Sequence, residues 1–322
     1  MNVSSGRRVE SSATSYLPGK KGIGLVSGRA VLQALQPSWS YNWGPIRPSW
    51  QPDNVEFVPM IWGGASLDTS LLQEKIETYI QPDINDGKIR RLLGFNEPDS
   101  EDQSNMEIDS AIALWDYIAN NVNLPLVSPS CVHADGDWMQ EFMANDDVSE
   151  WVGVHWYGSA DATTFQSDME SYYERYQKPL LITEFAPADW SATSSSGNQI
   201  STAKVLQFMK NVLPWLEQQD WIAGYAWFPF KMNNAAGTSS ALFDHSSGDL
   251  TDCGRFYASV NSTHPYGDQS IGITTNSYYY ATSSFLALGF FLLVAANSRR
   301  RLRQADAALQ QELVASSCDA NI

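Results

Sequence analysis

Two glutamates carry the chemistry this sequence suggests. Glu97 lies in Gly94-Phe-Asn-Glu-Pro-Asp99 and Glu184 in Ile182-Thr-Glu-Phe185, each at the end of a short apolar run. A carboxylate in such a place must be solvated, paired or held neutral, because burying it bare is costly. A lone glutamate there is as well explained by a loop salt bridge. Two of them, with Asn96 beside the first, suit glycoside hydrolysis, which needs one carboxyl protonated to donate to the leaving oxygen and one ionised to attack the anomeric carbon. If the two strands face each other across a site, the carboxyl groups are expected about 5–5.5 Å apart, the spacing of retaining double displacement. Asn96 is then placed to hydrogen-bond a sugar 2-OH.

Other predicted strand ends add groups that suit a sugar: Ser40-Tyr-Asn-Trp43, Ile61-Trp62, His155-Trp-Tyr157 and Trp227-Phe228. The substrate-binding candidates are therefore Tyr41, Asn42, Trp43, Trp62, Asn96, His155, Trp156, Tyr157 and Trp227. Tyr157 is expected to hydrogen-bond Glu184, and Trp227 to form a floor under the reacting sugar. Each aromatic alone is more often a core residue; gathered at one opening they make a groove.

The elements that must position these residues alternate along residues 20–265. Strands are predicted near Ile23–Val26, Ser38–Trp43, Val55–Trp62, Arg90–Asn96, Leu124–Pro129, Trp151–Trp156, Leu180–Phe185 and Ile222–Trp227. FVPMIW, LLGF, PLLITEF and IAGYAWF are nearly continuous apolar runs, the pattern of parallel strands buried on both faces. Helical spacing lies between them, in Leu71, Leu72, Lys75, Ile76, Tyr79 and Ile80, in Ile108, Ile112, Trp115 and Ile118, in Met169–Tyr176, and in Val205, Phe208, Met209, Val212 and Leu216. The expected class is α/β, a (β/α)8 TIM barrel with function at the C-terminal strand ends. An open doubly wound sheet is the alternative, but no GxGxxG or GxxxxGK[ST] follows a strand.

A net charge of −16 argues against nucleic acid and makes an anionic polysaccharide an awkward partner. Twelve Trp and fourteen Tyr point to flat rings against the C–H faces of a neutral glycan. No cofactor is expected. Cys131, Cys253 and Cys318 form no CxxC pair, and Cys131 and Cys253 can join only if the fold brings them together. His133, Asp135, Asp137 and His155 offer a rival metal centre, although H-x-D-x-D in a loop is more often a turn and helix cap.

The ends of the chain read differently. Residues 1–19 lack an apolar signal core and are expected to be a flexible leader. After a linker, 266–277, residues 278–297 form an uncharged stretch with tyrosines at one edge, and a basic and polar tail, 298–322, follows with Arg299, Arg300, Arg301 and Arg303. This predicts a single transmembrane helix with the tail cytoplasmic and the barrel at the cell surface. A buried helix of the globular domain, a lipid-anchor signal and a secreted protein are the alternatives.

In SWSYNWGP, FVPMIWG, LLGFNEPD, VGVHWYG, LLITEFAPADW and YAWFPF, from Lys20 to about Tyr257, the chain resembles glycoside hydrolase family 128, the β-1,3-glucanases with the glycosyl hydrolase catalytic core. The resemblance implies that Glu97 is the acid/base, that Glu184 is the nucleophile, and that the aromatics line a curved cleft for a neutral β-1,3-glucan. A catalytically silent glycan-binding or wall-anchoring membrane protein is the reading of a different class. Keeping both glutamates counts against it.

Overall fold

The computed structural model describes residues 19–25 and 28–262. The predicted leader up to residue 18, the linker from 266, the span 278–297 and the tail 298–322 lie outside the described residues. Among those described, no helix is long and apolar enough to cross a membrane.

The chain is an α/β protein of parallel strands. In order they are β1 (Lys21–Gly24), β2 (Trp39–Tyr41), β3 (Glu56–Phe57), β4 (Leu92–Leu93), β5 (Leu126–Val127), β6 (Val152–Gly158), β7 (Leu180–Pro187) and β8 (Ile222–Trp227). Six of them form a sheet in the order β3-β2-β1-β8-β7-β6, and β4 pairs with β5. Single parallel bridges, Met60 to Leu93 and Val127 to Trp151, tie this pair to the two edges of the larger sheet, so the pairing returns to its start. The runs LLITEFAP and IAGYAW are buried along their whole length, because apolar side chains lie on both faces.

Helices α1 (Arg29–Leu35), α4 (Ile108–Asn121), α5 (Asp137–Asn145), α6 (Ala162–Tyr176), α7 (Thr202–Gln218) and α8 (Asp252–Ser259) each follow a strand. Between β3 and β4, α2 (Thr69–Lys75) runs through a π turn at Ile76–Ile80 into α3 (Gln81–Asn85). Helical spacing foretold four of these regions but not α1, α5 or α8. The expectation of a helix after every strand fails once: residues 42–55 between β2 and β3 are irregular. Pro45, Pro48 and Pro52 in this segment each remove an N–H donor and oppose a helix.

Trp39, Tyr41, Met60, Leu93, Val127, Trp151, Leu181 and Ala226 pack together inside the ring of strands. Ile182, Phe185, Tyr225 and Trp227 point the other way, into a cluster shared with Phe165, Phe208 and Val212 of the helices. Two buried lysines secure the first strand. Lys20 Nζ donates to the carbonyls of Leu216, Glu217 and Gln219 at the end of α7, and Lys21 Nζ to those of Tyr257, Ala258 and Val260 at the end of α8. A cation there satisfies carbonyls left open where a helix stops. Burial lowers the pKa of both, that of Lys21 to about 8. Cys131 and Cys253 are buried free thiols and do not pair.

Candidate active site

Glu97 sits just past β4. Gly94 lets that strand close on its neighbour, since a Cβ there would lie 2.7 Å from Pro129 N. The chain then leaves the sheet in two anchored steps, Asn96 N–H donating to Trp62 O (2.9 Å) and Glu97 N–H to Ser130 O (2.7 Å). Glu97 has a left-handed backbone, φ 45°, and so has Trp43, φ 60°. Such conformations cost a non-glycine residue about 1–3 kcal/mol and gather at functional sites.

Glu184 reaches the same space through a bulge. Along β7, Leu181 faces inward and Ile182 outward, so simple alternation would send Glu184 outward too. The register with β6 skips one residue at Thr183: Val154 pairs with Ile182, and His155 already with Glu184. The extra residue turns Glu184 inward, the kind of re-aiming bulges perform beside active sites. Ser130 Oγ and Thr183 Oγ1 hydrogen-bond at 2.9 Å beside this bulge.

Donors surround Glu184. Trp43 Nε1–H reaches Oε1 at 2.6 Å, Tyr157 O–H reaches Oε2 at 2.5 Å, and Tyr41 O–H lies 3.3 Å from Oε1. His155 Nδ1 is 2.8 Å from Glu97 Oε1. Its Nε2 is 3.6 Å from Glu184 Oε1, a charge contact too long for a hydrogen bond. One oxygen from each glutamate and a ring nitrogen of His155 all lie within 4.8 Å of one another. Glu97 keeps 13% of its side chain exposed and Glu184 6%.

This packing shifts the titratable groups around Glu97. Burial pushes the Glu97 carboxyl above its ordinary range, and the charges of Glu184 and Asp99 act in the same direction against the pull of His155. Burial draws His155 down, but Glu184 and Glu97 outweigh it and leave the ring raised. Burial and Glu184 push the Tyr157 phenol well above its usual value, so it remains a donor. Glu184 receives three donors, which fix the position of both its oxygens.

The trio is compact enough for a cation, but its atoms are committed otherwise. Nδ1 of His155 is taken by Glu97, and the N–H of Trp43 and O–H of Tyr157 point at the Glu184 oxygens a cation would need. His133, Asp135 and Asp137 are exposed and form no metal-holding group with His155.

The structure brings together Tyr41, Trp43, Glu97, His155, Tyr157 and Glu184. Trp62 is half-buried beside the inner cluster. Asn96 is buried; its amide donates to Gln103 Oε1 at 3.3 Å, while Oδ1 accepts no hydrogen bond. Two expected sugar contacts fail, and a third residue is engaged within its own loop. Trp156 packs outward on Phe165 and Phe208 and donates to Asp168, as it must when its neighbours His155 and Tyr157 both face inward. Trp227 is 0% exposed, packs on Phe185 and Tyr257 and donates to Ser240 O, so it is no sugar floor. Asn42 spends its side chain on Gly44 N–H and Ile46 O within its own loop.

Sequence reading named Tyr157 and Phe228 but missed the rest of an aromatic wall. Tyr157 makes edge contacts with Trp190, Phe228 and Phe230, at 5.6, 5.5 and 5.8 Å, and Trp190 is 50% exposed. Trp190 and Phe230 end the strings LLITEFAPADW and YAWFPF, the signal that was available.

The model of the glycosyl hydrolase catalytic core family matches residues 27–257. The chain belongs to that family. Three solved structures of family 128 are similar to it. An endo-β-1,3-glucanase of subgroup II from Sorangium cellulosum matches with TM-score 0.61 at 29% identity, covering 76% of this chain and 99% of its own. A subgroup I endo-β-1,3-glucanase mutant from Amycolatopsis mediterranei, in complex with laminaripentaose, matches with TM-score 0.63 at 25% identity, covering 76% and 100%. A curdlan-specific exo-β-1,3-glucanase of subgroup III from Blastomyces gilchristii matches with TM-score 0.57 at 26% identity, covering 76% and 100%. No curated protein matches the chain. The protein is a glycoside hydrolase of family 128.

Proposed function

We propose that this hydrolase cleaves β-1,3-glucan with retention of configuration on a (β/α)8 barrel. In this reading Glu97 donates the proton to the leaving oxygen and Glu184 attacks the anomeric carbon. The observation that carries it is the approach of the two glutamates within 4.8 Å, one from the loop after β4 and one from the bulge within β7. Retaining enzymes hold their carboxyl groups about 5–5.5 Å apart, whereas inverting ones leave about 6.5–9.5 Å for a water. The raised Glu97 carboxyl suits the acid. The three donors on Glu184 suit the nucleophile, because they hold its oxygens oriented for attack. His155, linking both, is placed to orient Glu97 and to feel each change of charge as the intermediate forms and breaks. The β-1,3-glucan substrate rests on the solved relatives that act on it or hold laminari-oligosaccharides.

Proton NMR of the first products from laminarihexaose is the test. Initial β-anomer supports retention; initial α-anomer excludes it. Glu184→Gln should abolish turnover of every substrate. Glu97→Gln should keep much of its rate on activated aryl glycosides and form a β-glycosyl azide when azide is added. An intact parent that binds laminarihexaose without cleaving it would instead favour the silent-binder reading. We also propose that residues 278–297 span a membrane with the barrel outside, a reading supported by the uncharged stretch and the arginines after it.

A further inference from the structure

The Glu97 turn is fastened by a residue to which neither the motif reading nor the reaction gave a part. Asp99 lies two residues beyond Glu97. Its Oδ1 accepts the N–H of Val132 at 2.9 Å and its Oδ2 the N–H of His133 at 3.1 Å. Both oxygens act as acceptors, the pattern of a carboxylate. These bonds tie the loop after β4 to the loop after β5, and the Glu97 N–H bond to Ser130 O adds a second tie between the same loops. The segment so clamped contains the left-handed Glu97 and the proline after it. A residue before proline is sterically restricted, and a left-handed one is strained as well, so the turn persists only if its surroundings hold it.

We propose that Asp99 is a positioning residue for the acid/base step, holding Glu97 in its left-handed turn and placing a negative charge behind it. The proposal rests on Glu97 being the acid/base. The titratable groups around Glu97 are His155 and Tyr157 from β6, Glu184 from β7, Asp99 from its own loop and the Cys131 thiol after β5, which also faces Asp99. Of the two carboxylates near Glu97, Glu184 loses its charge when it becomes glycosylated. Asp99 keeps its own through both steps. It thus supplies a constant bias, which raises the Glu97 carboxyl along with burial, while the Glu184 contribution comes and goes.

Asp99→Asn preserves shape but removes the charge and turns one acceptor into a donor facing an N–H. The pH profile of kcat/KM on laminarihexaose should show its basic limb moved down by about half to one pH unit. Turnover of laminarihexaose should fall roughly 10–100-fold, and that of a dinitrophenyl β-laminaribioside, which needs no protonation, less than about threefold. Asp99→Glu keeps the charge but displaces the clamp, so turnover should fall while the limb stays. A folded Asp99→Asn with the parent's limb and unchanged leaving-group dependence overturns the proposal. If that variant does not fold, an Asp99→Glu enzyme with full turnover overturns it equally. Glu97→Gln separates the two ideas. If it leaves the basic limb in place, the acid assignment fails; if it removes the limb while Asp99→Asn does not move it, only the role of Asp99 fails.

Discussion

Tyr157→Phe removes one oxygen and with it the 2.5 Å hydrogen bond to Glu184 Oε2. The ring keeps its edge contacts with Trp190, Phe228 and Phe230, so the wall and the fold stand. Trp43 still grips Oε1 at 2.6 Å, but Tyr41, at 3.3 Å and shared with Thr183 O, is a poor substitute. The nucleophile then swings about one anchor. A hydrogen bond to a charged group is worth about 1.5–3 kcal/mol. If that energy is needed to reach the transition state, kcat/KM on laminarihexaose should fall about 10–150-fold. KM should change little, since the bond orients the carboxylate more than it holds the sugar. Reducing-end release gives the rate. Mass spectrometry of covalent labelling by an activated 2-deoxy-2-fluoro laminaribioside isolates the step Glu184 performs, and both should slow together. A variant with the parent's melting temperature and less than about threefold loss in both assays would refute the claim that Tyr157 orients the nucleophile.

Further outcomes follow from the same geometry. In the unfolded chain Glu97 ionises near ~4.3, but in the fold it holds its proton to higher pH. Stability tied to Glu97 is therefore full below the unfolded value and lost as pH rises through the folded one. Glu97→Gln should melt above the parent at pH 7, with the gap closing towards about pH 4 on calorimetry. Trp190→Ala should weaken laminarihexaose binding with little change in melting temperature, whereas Trp156→Ala, which opens the core around Phe165 and Phe208, should cost about 3–5 kcal/mol of stability in urea titrations. If residues 278–297 span a membrane as proposed, protease treatment of intact cells should remove the α/β domain and leave a short C-terminal fragment; full protection of that domain would defeat the outward topology. In that topology Asn261, in its Asn-Ser-Thr sequon, should be glycosylated in a eukaryotic host.

How far the sequence could be read depended on the kind of signal. Glu97 and Glu184 were legible because a carboxylate at the end of an apolar strand violates the burial rule that the rest of the strand obeys. Trp156 and Trp227 were misread by type alone. Alternation along β6 already forbids Trp156 from sharing a face with His155 and Tyr157. Had the same rule been applied to β7, however, it would have pointed Glu184 outward, because the Thr183 bulge is a register shift that leaves no mark in composition. The helix missing between β2 and β3 was announced by three prolines. Helices α1 and α8 are only 7 and 8 residues long, too short for periodicity to declare. Asp99 was visible in its motif, but its partners are backbone N–H groups 33 and 34 residues away.

The two lysines at the start of the first strand also set an order of events. Their acceptors lie between 196 and 239 positions later in the chain, on the last turns of α7 and α8 and the residues just beyond. A nascent chain emerging from a ribosome therefore holds two basic side chains and an unpaired β1 edge until nearly all of the described chain has been made. Contacts so distant in sequence close slowly, since loop entropy is lost before they reward it. The opening strand should thus be among the last to dock, and the half-made sheet is the species most exposed to chaperones and to edge-to-edge association.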